Sequence, residues 1–387
     1  GTPNDRRRVG LRVEKTEEEI KADADKMEQL MRGIRGQPPG ADISWVLDEH
    51  LPPRVVNEKF LTTIIVELGT QDCSQDYQHA EGVLRWMEAR GPGVPPTFYH
   101  YNAVISVCCR GGPAGLARAL ELSEEMGRND IPPDATTYTT LIAGCGENGD
   151  GERALDLFRN ARQAGWRPDL SLCSTLIAAL GKCGREDDAL EIFAGMKRNN
   201  VRPDEGVFSG LVRQLCKAGR GKEALEVLDE MLERKMKPPT KTVVAVLKAC
   251  GDGGQWQLAL RIFKEMQTNH GVEPTAKVYI ALASALGRSG KGAEAAAVVK
   301  AMAKAGFDAT TAKVYNHALR AHGAAGEWQE AQSLLEDMAA GGVEPDKNSY
   351  SALVAALEGG GQAAEALAVY GGVMKAAGHD PDAMAIR

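Results

Sequence analysis

The sequence predicts an all-α fold, an α-solenoid superhelix of stacked antiparallel helix pairs. One phrase recurs about every 35 residues: an aromatic or apolar start, Leu-Ile, a Gly in mid-repeat, Ala-Leu, an apolar pair, Met and finally Pro-Asp. The cleanest copies, each 35 residues long, are 135–169, 170–204, 205–239 and 312–346. A fixed period of this size is typical of solenoids, which use their length as a surface instead of enclosing one pocket.

A single repeat shows how two helices are encoded. In residues 170–204, four apolar side chains recur at helical spacing before a stretch that begins and ends with Gly: Leu172, Leu176, Ile177 and Leu180. A second apolar stripe follows Asp187 and Asp188: Ala189, Leu190, Ile192, Phe193 and Met196. Each repeat is therefore predicted to be a hairpin of two helices, A and B. Because one hairpin cannot bury both apolar faces, it must stack on the next hairpin.

The register of the helix A aromatic position divides the chain into repeats and flanking segments. Eight repeats are predicted within 98–382, at 98–134, 135–169, 170–204, 205–239, 240–275, 276–311, 312–346 and 347–382. A degenerate repeat is predicted before them at 57–97. The N-terminal tail, 1–56, is predicted to contain one or two short helices, at 16–34 and 42–50, after a disordered stretch at 1–13. Residues 383–387 are predicted to form a C-terminal tail.

Composition and motifs argue against several function classes. The formal net charge is −7, and no apolar stretch approaches the roughly 20 residues needed to cross a bilayer, so we expect no membrane insertion. The seven histidines lack metal-ligand spacing, and the sequence has neither a phosphate-binding Gly-x-x-x-x-Gly-Lys-Ser/Thr loop nor a Cys-x-x-Cys pair. Cysteines at equivalent repeat positions, such as Cys109 and Cys216, are predicted to be small packing residues. We therefore expect no enzyme activity, metal, cofactor or small-molecule substrate.

The recurring residues resemble those of the pentatricopeptide repeat family, in a P-type array. The match is close in one repeat at Tyr138, Leu141, Ile142, Gly149, Ala154, Leu155, Phe158, Gly165, Pro168 and Asp169, and it recurs along the chain. The nearest competitor, a tetratricopeptide array, would carry a Trp-x-x-Leu-Gly-x-x-Tyr phrase that this chain lacks. The resemblance implies a single-stranded RNA-binding adaptor in a mitochondrion or chloroplast, acting in RNA processing, stability or translation.

The resemblance also implies which side chains read bases. In the family, the fifth residue of each repeat and the last residue together contact one base of single-stranded RNA. The matching pairs here are Asn102 with Asp134, Thr139 with Asp169, Ser174 with Asp204, Asn316 with Asp346, and Ser351 with Asp382. By resemblance, Asn with Asp implies uracil, and Thr or Ser with Asp implies guanine. The alternative for each Asp is a structural one, the capping of the helix that follows.

Two sets of basic residues are candidates for phosphate contact. The family often places Lys or Arg near the end of helix A, where this chain has Arg110, Lys182, Lys217 and Arg288. At the second position of helix A, three consecutive repeats carry Lys241, Lys277 and Lys313. We interpret these three lysines as a candidate track for the RNA backbone. Solvated lysines at a helix start are the alternative.

The acidic balance leaves a second hypothesis open. An acidic array binds a polyanion only if its charge is segregated, and we expect the acids of helix B to face away from the helices A. At the fifth position, Val244 and Ile280 cannot hydrogen-bond a base edge. The alternative is therefore a non-catalytic structural subunit of a large organellar assembly such as a ribosome. Its partners would be ribosomal or other protein subunits, or structured RNA.

Overall fold

Helices form almost all of the structure, as the sequence predicts. The computed structural model describes residues 17–51, 58–70, 76–90, 95–268, 273–307 and 312–373, and within these ranges it contains no β-strand. The predicted disordered stretch 1–13, Cys73, Asp382 and the C-terminal tail 383–387 lie outside the described residues. The chain divides into two compact units, Gly1–Cys183 and Gly184–Arg387.

The first unit contains nine described helices. They are α1 (Glu17–Arg35), α2 (Ser44–His50), α3 (Glu58–Leu68), α4 (Asp76–Ala89), α5 (Phe98–Arg110), α6 (Gly112–Arg128), α7 (Ala135–Glu147), α8 (Gly151–Gln163) and α9 (Leu170–Lys182). The helices A are α3, α5, α7 and α9, and each contacts the next one in a row. Each intervening helix B contacts the helix A on either side of it. This unit is therefore a stack of antiparallel helix pairs.

The second unit repeats the arrangement. Its described helices are α10 (Glu186–Arg198), α11 (Glu205–Lys217), α12 (Gly221–Glu233), α13 (Thr240–Asp252), α14 (Trp256–Thr268), α15 (Ala276–Arg288), α16 (Gly292–Lys304), α17 (Ala312–Ala325), α18 (Trp328–Ala340), α19 (Lys347–Gly359) and α20 (Ala363–Ala368), followed by a π-helical turn at Val369–Val373. The helices A, α11, α13, α15, α17 and α19, again contact one another in order. The α-solenoid prediction is confirmed for both units.

Local sequence explains where helix A begins and ends. The Asp that closes four of the repeats has extended backbone and accepts a hydrogen bond from the main-chain N–H three residues later, as Asp169 does from Leu172 at 2.8 Å. After α7, Gly149 adopts a φ of 76°, a left-handed conformation that favours Gly and turns the chain into α8. The apolar positions of helix A are buried, including Leu172, Leu176 and Leu180.

The N-terminal helices pack on the first unit. Leu30 and Ile34 of α1 and Leu47 of α2 are buried, and both helices contact α4. The Trp86 indole N–H donates to Asp48 Oδ1 at 2.8 Å, which ties α4 to α2. Although the sequence predicts a polar helix at 16–34, the last part of α1 is amphipathic. Its apolar side covers the start of the helix stack.

Neighbouring helices A approach each other closely where one of them carries Gly. A Cβ built on Gly287 of α15 would lie 2.3 Å from the carbonyl oxygen of His317 in α17. No residue other than Gly fits at that position without a shift of the backbone. By contrast, a Cβ on Gly210 of α11 would meet no atom within 4 Å.

The cysteines behave as packing residues in the described ranges. Cys108, Cys109, Cys145, Cys173 and Cys250 are buried, and burial raises the pKa of Cys109 to about 12. The described residues contain no group of His, Cys, Asp and Glu that could hold a metal ion. No helix in this part of the chain combines the length and the apolar character that a bilayer crossing requires.

Candidate nucleic-acid interface

One stripe of each helix A consists mostly of side chains that are at least partly exposed. We call this stripe the A face and define it by the second, fifth, ninth and thirteenth residues of each helix A. The second, fifth and ninth residues follow one another at helical spacing, so they share one side of the helix. In α13 they are Lys241, Val244 and Lys248, which are at least partly exposed, whereas Val243 and Leu247 are buried. The A face is described separately for each unit.

The first predicted base-reading pair meets in the structure. Asn102 Nδ2 donates to Asp134 Oδ1 at 3.2 Å, and the Thr137 hydroxyl lies 2.7 Å from Asn102 Oδ1. The main-chain N–H of Thr137 also donates to Asp134 Oδ1, at 2.8 Å. A side-chain amide has two N–H donors and two acceptor lone pairs. One donor and one lone pair of Asn102 therefore stay available to a ligand.

The same geometry recurs in the second unit. Asn316 Nδ2 donates to Asp346 Oδ1 at 2.9 Å, and the Ser349 hydroxyl donates to Asn316 Oδ1 at 2.6 Å. Burial works to raise the pKa of Asp346, but hydrogen bonds from Ser349 and Asn316 hold that pKa below its ordinary value. Asp134 shows the same balance between burial and the bonds from Thr137 and Asn102. The two clusters differ in access, since Asn316 is only 5% exposed and Asn102 is half-buried.

Capping and base contact are not exclusive for these aspartates. The carboxylates of Asp134, Asp169, Asp204 and Asp346 each accept a hydrogen bond from the first turn of the following helix, so the capping expectation is confirmed. In Asp134 and Asp346 the same oxygen also holds the Asn of the preceding helix A. The cap therefore orients the Asn side chain as well as the helix.

The hydroxyl positions differ from the Asn positions. Thr139 Oγ1 donates to the carbonyl of Ala135 at 2.7 Å, and Ser174 Oγ donates to that of Ser171 at 2.9 Å. Each hydroxyl donates its only hydrogen bond to a carbonyl of its own helix, so its oxygen can only accept hydrogen bonds from a ligand. Within the described ranges, Thr139 has no hydrogen bond to Asp169.

The other predicted pairs are not seen together. Ser174 belongs to the first unit and Asp204 to the second. Ser351 is exposed on α19, and its predicted partner Asp382 lies outside the described residues.

The fifth position is apolar or buried in three consecutive repeats of the second unit. Ser209 is 5% exposed, and its hydroxyl has no hydrogen-bond partner in the described structure. Val244 and Ile280 are partly exposed and carry no polar atom in the side chain. Base reading by hydrogen bonds has no donor or acceptor at these last two positions.

The predicted phosphate contacts fall into two groups. Lys241, Lys277 and Lys313 are exposed, and none of them has an ion pair in the part of the chain that the structure describes. By contrast, Arg288 pairs with Asp252 of the preceding helix A, and Lys182 Nζ lies 3.9 Å from Glu147 Oε1.

The last two predicted phosphate residues have no carboxylate partner among the described residues. Arg110 Nε donates to the Ser106 carbonyl at 3.4 Å, and Lys217 is exposed. Among the thirteenth residues of helix A, an ion pair with the neighbouring repeat therefore engages Arg288 and Lys182 but neither of these two.

Sequence reasoning missed a further set of basic residues, at the ninth position of helix A. They are Arg213, Lys248 and Arg320. Arg213 Nε and Arg320 Nε each donate to the carbonyl of the fifth residue, at 3.1 and 3.2 Å. These bonds hold both guanidinium groups on the A face. The same repeat register that singled out the second position would have found this row.

Charge is segregated between the two helix types in the second unit. There, the five helices A carry nine Lys or Arg and three Asp or Glu. The B helices α10, α12, α14, α16, α18 and α20 carry seven basic and fifteen acidic residues. In the first unit, α3, α5, α7 and α9 carry three of each sign. The acidic chain thus has a basic row of helices in one unit only.

Stacked helix pairs that present a polar and basic stripe define an α-solenoid repeat protein with an extended binding face. The model of the pentacotripeptide-repeat region of PRORP matches residues 57–256, which are more than half of the chain. A model of the PPR repeat family matches residues 310–358. The chain belongs to the pentatricopeptide repeat family.

Two sequence relatives and one solved structure illustrate the similarity. A mitochondrial pentatricopeptide repeat-containing protein of Arabidopsis thaliana is 28% identical over 128 residues, which are 32% of this chain and 29% of that protein. Chloroplastic pentatricopeptide repeat-containing protein 10 of Zea mays is 30% identical over 130 residues, 33% of this chain and 16% of that protein. A crystal structure of maize PPR10 with an 18-nucleotide psaJ RNA element aligns at a TM-score of 0.39 and 25% identity, over 90% of this chain and 58% of that one. The matched segments span less than a third of the two sequence relatives.

Proposed function

We propose that the chain is a non-catalytic adaptor for single-stranded RNA in a mitochondrion or chloroplast, acting in RNA processing, stability or translation. The observation that carries this proposal is the repeated cluster on the A face. Asn102 and Asn316 occupy the same register position in two repeats, and each amide is held by the Asp that ends its own repeat. Membership of the pentatricopeptide repeat family supports RNA as the ligand. The names of the two relatives, one mitochondrial and one chloroplastic, support the proposed compartment.

The chemistry of the first cluster suits a base edge. The free N–H and the free lone pair of Asn102 can exchange two hydrogen bonds with the Watson-Crick edge of a base. Thr139 and Ser174 offer acceptor oxygens, which suit guanine because it donates from two nitrogens of that edge. In this proposal uracil at Asn102 is followed by guanine at Thr139 and at Ser174.

Charge segregation supports the same partner in the second unit. Neutralised phosphates supply a large share of the affinity of a protein for RNA. The exposed lysines Lys241, Lys277 and Lys313 and the excess of basic residues on the helices A would supply it here, while the acids on the helices B set the net charge. An acidic whole chain is therefore compatible with RNA binding.

A titration with two short RNAs tests the proposal. One RNA carries the bases implied by the repeat register, and the other carries the same bases in scrambled order. We expect the matched RNA to bind at least tenfold more tightly, since each well-formed base contact contributes about 1–3 kcal/mol. Fluorescence anisotropy at low and at physiological salt measures both affinities. Equal, weak binding to the two RNAs would reject sequence-preferring recognition.

A structural subunit of an organellar ribosome or similar assembly is the second candidate. The aliphatic side chains of Val244 and Ile280 on the A face favour it, because they suit a protein surface better than a base edge. Sedimentation of organelle extract before and after nuclease treatment separates the two candidates. A scaffold subunit stays with the large particle after nuclease treatment, whereas an RNA adaptor is released from it.

A further inference from the structure

We propose that Arg320 and Lys313, on the A face of α17, form a site for a phosphate group of the RNA backbone that makes no contact with a base. This inference rests on the proposed function, since it names how the second unit holds RNA. The two residues are seven positions apart, so they lie on one side of the helix about 10 Å apart along its axis. Both are exposed.

Arg320 is held in place without an acidic partner. Its Nε donates to the carbonyl of Asn316 at 3.2 Å, and its Nη2 donates to His317 Nδ1 at 2.8 Å. Within the described residues, no carboxylate pairs with this guanidinium. A guanidinium has five N–H donors in a planar fork, so three remain. Because a fixed, unpaired Arg loses little side-chain freedom on binding, it suits a phosphate well.

The state of His317 keeps Arg320 in this position. Burial, followed by the positive charges of Arg320, Lys313 and Arg288, lowers the pKa of His317 to about 4. At neutral pH the ring is therefore uncharged, and its Nδ1 can accept the Arg320 hydrogen bond. Arg320, Lys313 and Arg288, the charged groups named as lowering the pKa of this ring, are all cations. The surroundings of Arg320 are therefore those of an anion site.

Two comparisons within the same unit set this site apart. Arg288 also lies on the A face, but it is engaged by Asp252 and by the carbonyl of Lys248. Asn316, which lies between Lys313 and Arg320, makes the same two hydrogen bonds as Asn102 but is only 5% exposed. The basic groups of α17 are accessible, whereas its base-reading group is largely withheld. Backbone contact is the binding mode that this arrangement favours.

Arg320→Gln tests the inference, with Lys304→Gln on α16 as the matched control because Lys304 is exposed on a helix B. Affinity for the matched and the scrambled RNA is measured for both variants over a range of salt concentrations. We expect Arg320→Gln to lower the affinity for both RNAs about tenfold. The slope of log affinity against log salt concentration should fall in magnitude by about 0.7, the effect of one lost phosphate contact on a single strand. Lys304→Gln should change neither value, and Arg320→Lys should keep most of the slope.

The pKa of His317 provides a second measurement, by NMR titration of the histidine ring in the wild-type protein. A phosphate beside Arg320 and Lys313 offsets the positive charges that depress this pKa, so binding of the RNA should raise it above about 4. A merely structural Arg320 leaves the value unchanged. If wild-type protein binds RNA but Arg320→Gln behaves like Lys304→Gln, the phosphate site is wrong and the adaptor function stands. If wild-type protein binds neither RNA, the phosphate site and the adaptor function are both wrong.

Discussion

Replacement of Asn102 by Thr is expected to change the base preferred at the first repeat from uracil to guanine. In the structure, Asp134 and Thr137 hold the Asn102 amide so that one donor and one acceptor remain. Thr at the fifth position donates to its own helix, as Thr139 does at 2.7 Å, and presents only an acceptor. The variant should therefore lose about tenfold in affinity for the uracil RNA and recover it with guanine at that one position.

Four RNAs that differ only at this base measure the change, by anisotropy with wild-type protein and with the variant. Two controls belong to the design. Base changes opposite the second repeat should have equal effects on the two proteins, and Asn102→Ala should lose the uracil preference without gaining one for guanine. An unchanged order of preference in Asn102→Thr would show that Asn102 reads no base.

Substitution of Gly287 by Ala is expected to lower the free energy of unfolding of the second unit by about 1–3 kcal/mol. The added methyl group would lie 2.3 Å from the carbonyl oxygen of His317, so α15 and α17 would have to separate. A flexible side chain could move away, but a backbone carbonyl inside a helix cannot without loss of helical hydrogen bonds. This contact is therefore a sensitive probe of the close packing between neighbouring helices A.

Gly210→Ala is the matched control for that experiment. It makes the same chemical change within α11, where the new Cβ meets no atom within 4 Å. Because Ala is a better helix former than Gly, this variant should gain about 0.5–1 kcal/mol. Urea denaturation monitored by circular dichroism measures the free energy of unfolding of both variants. Equal shifts in the two would mean that α15 and α17 do not approach each other as closely as the structure shows.

Helix placement and residue register could be read from the sequence because they depend on local rules. The 35-residue period, the Gly turns and the Pro-Asp endings predict helices A and B with boundaries close to those observed, as at α9. The family resemblance, placed on this register, paired Asn102 with Asp134, and the structure brings the two side chains into hydrogen-bond contact. The third member of each cluster, Thr137 or Ser349, was missed because the prediction paired only two positions.

Accessibility and pairing across helices could not be read in the same way. Asn102 and Asn316 occupy equivalent positions, yet one is half-buried and the other is 5% exposed. Arg288 and Lys217 also share a position, but Arg288 pairs with Asp252 of the preceding helix A, whereas Lys217 has no ion pair within the described part of its own unit. These differences depend on distances of a few ångströms between helices, which follow from side-chain packing in each interface.

The amino-acid sequence alone determined that this protein is a solenoid of helix pairs whose equivalent residues recur on one face. It could do so because helical periodicity and capping act within one repeat. Packing between repeats determined which of those residues a ligand can reach. In the packed structure Asn316 is buried, Arg288 pairs with Asp252, and Arg320 donates a hydrogen bond to His317. The physical reason is that burial and ion pairing require atoms from different repeats to come within a few ångströms, and no single repeat encodes that distance.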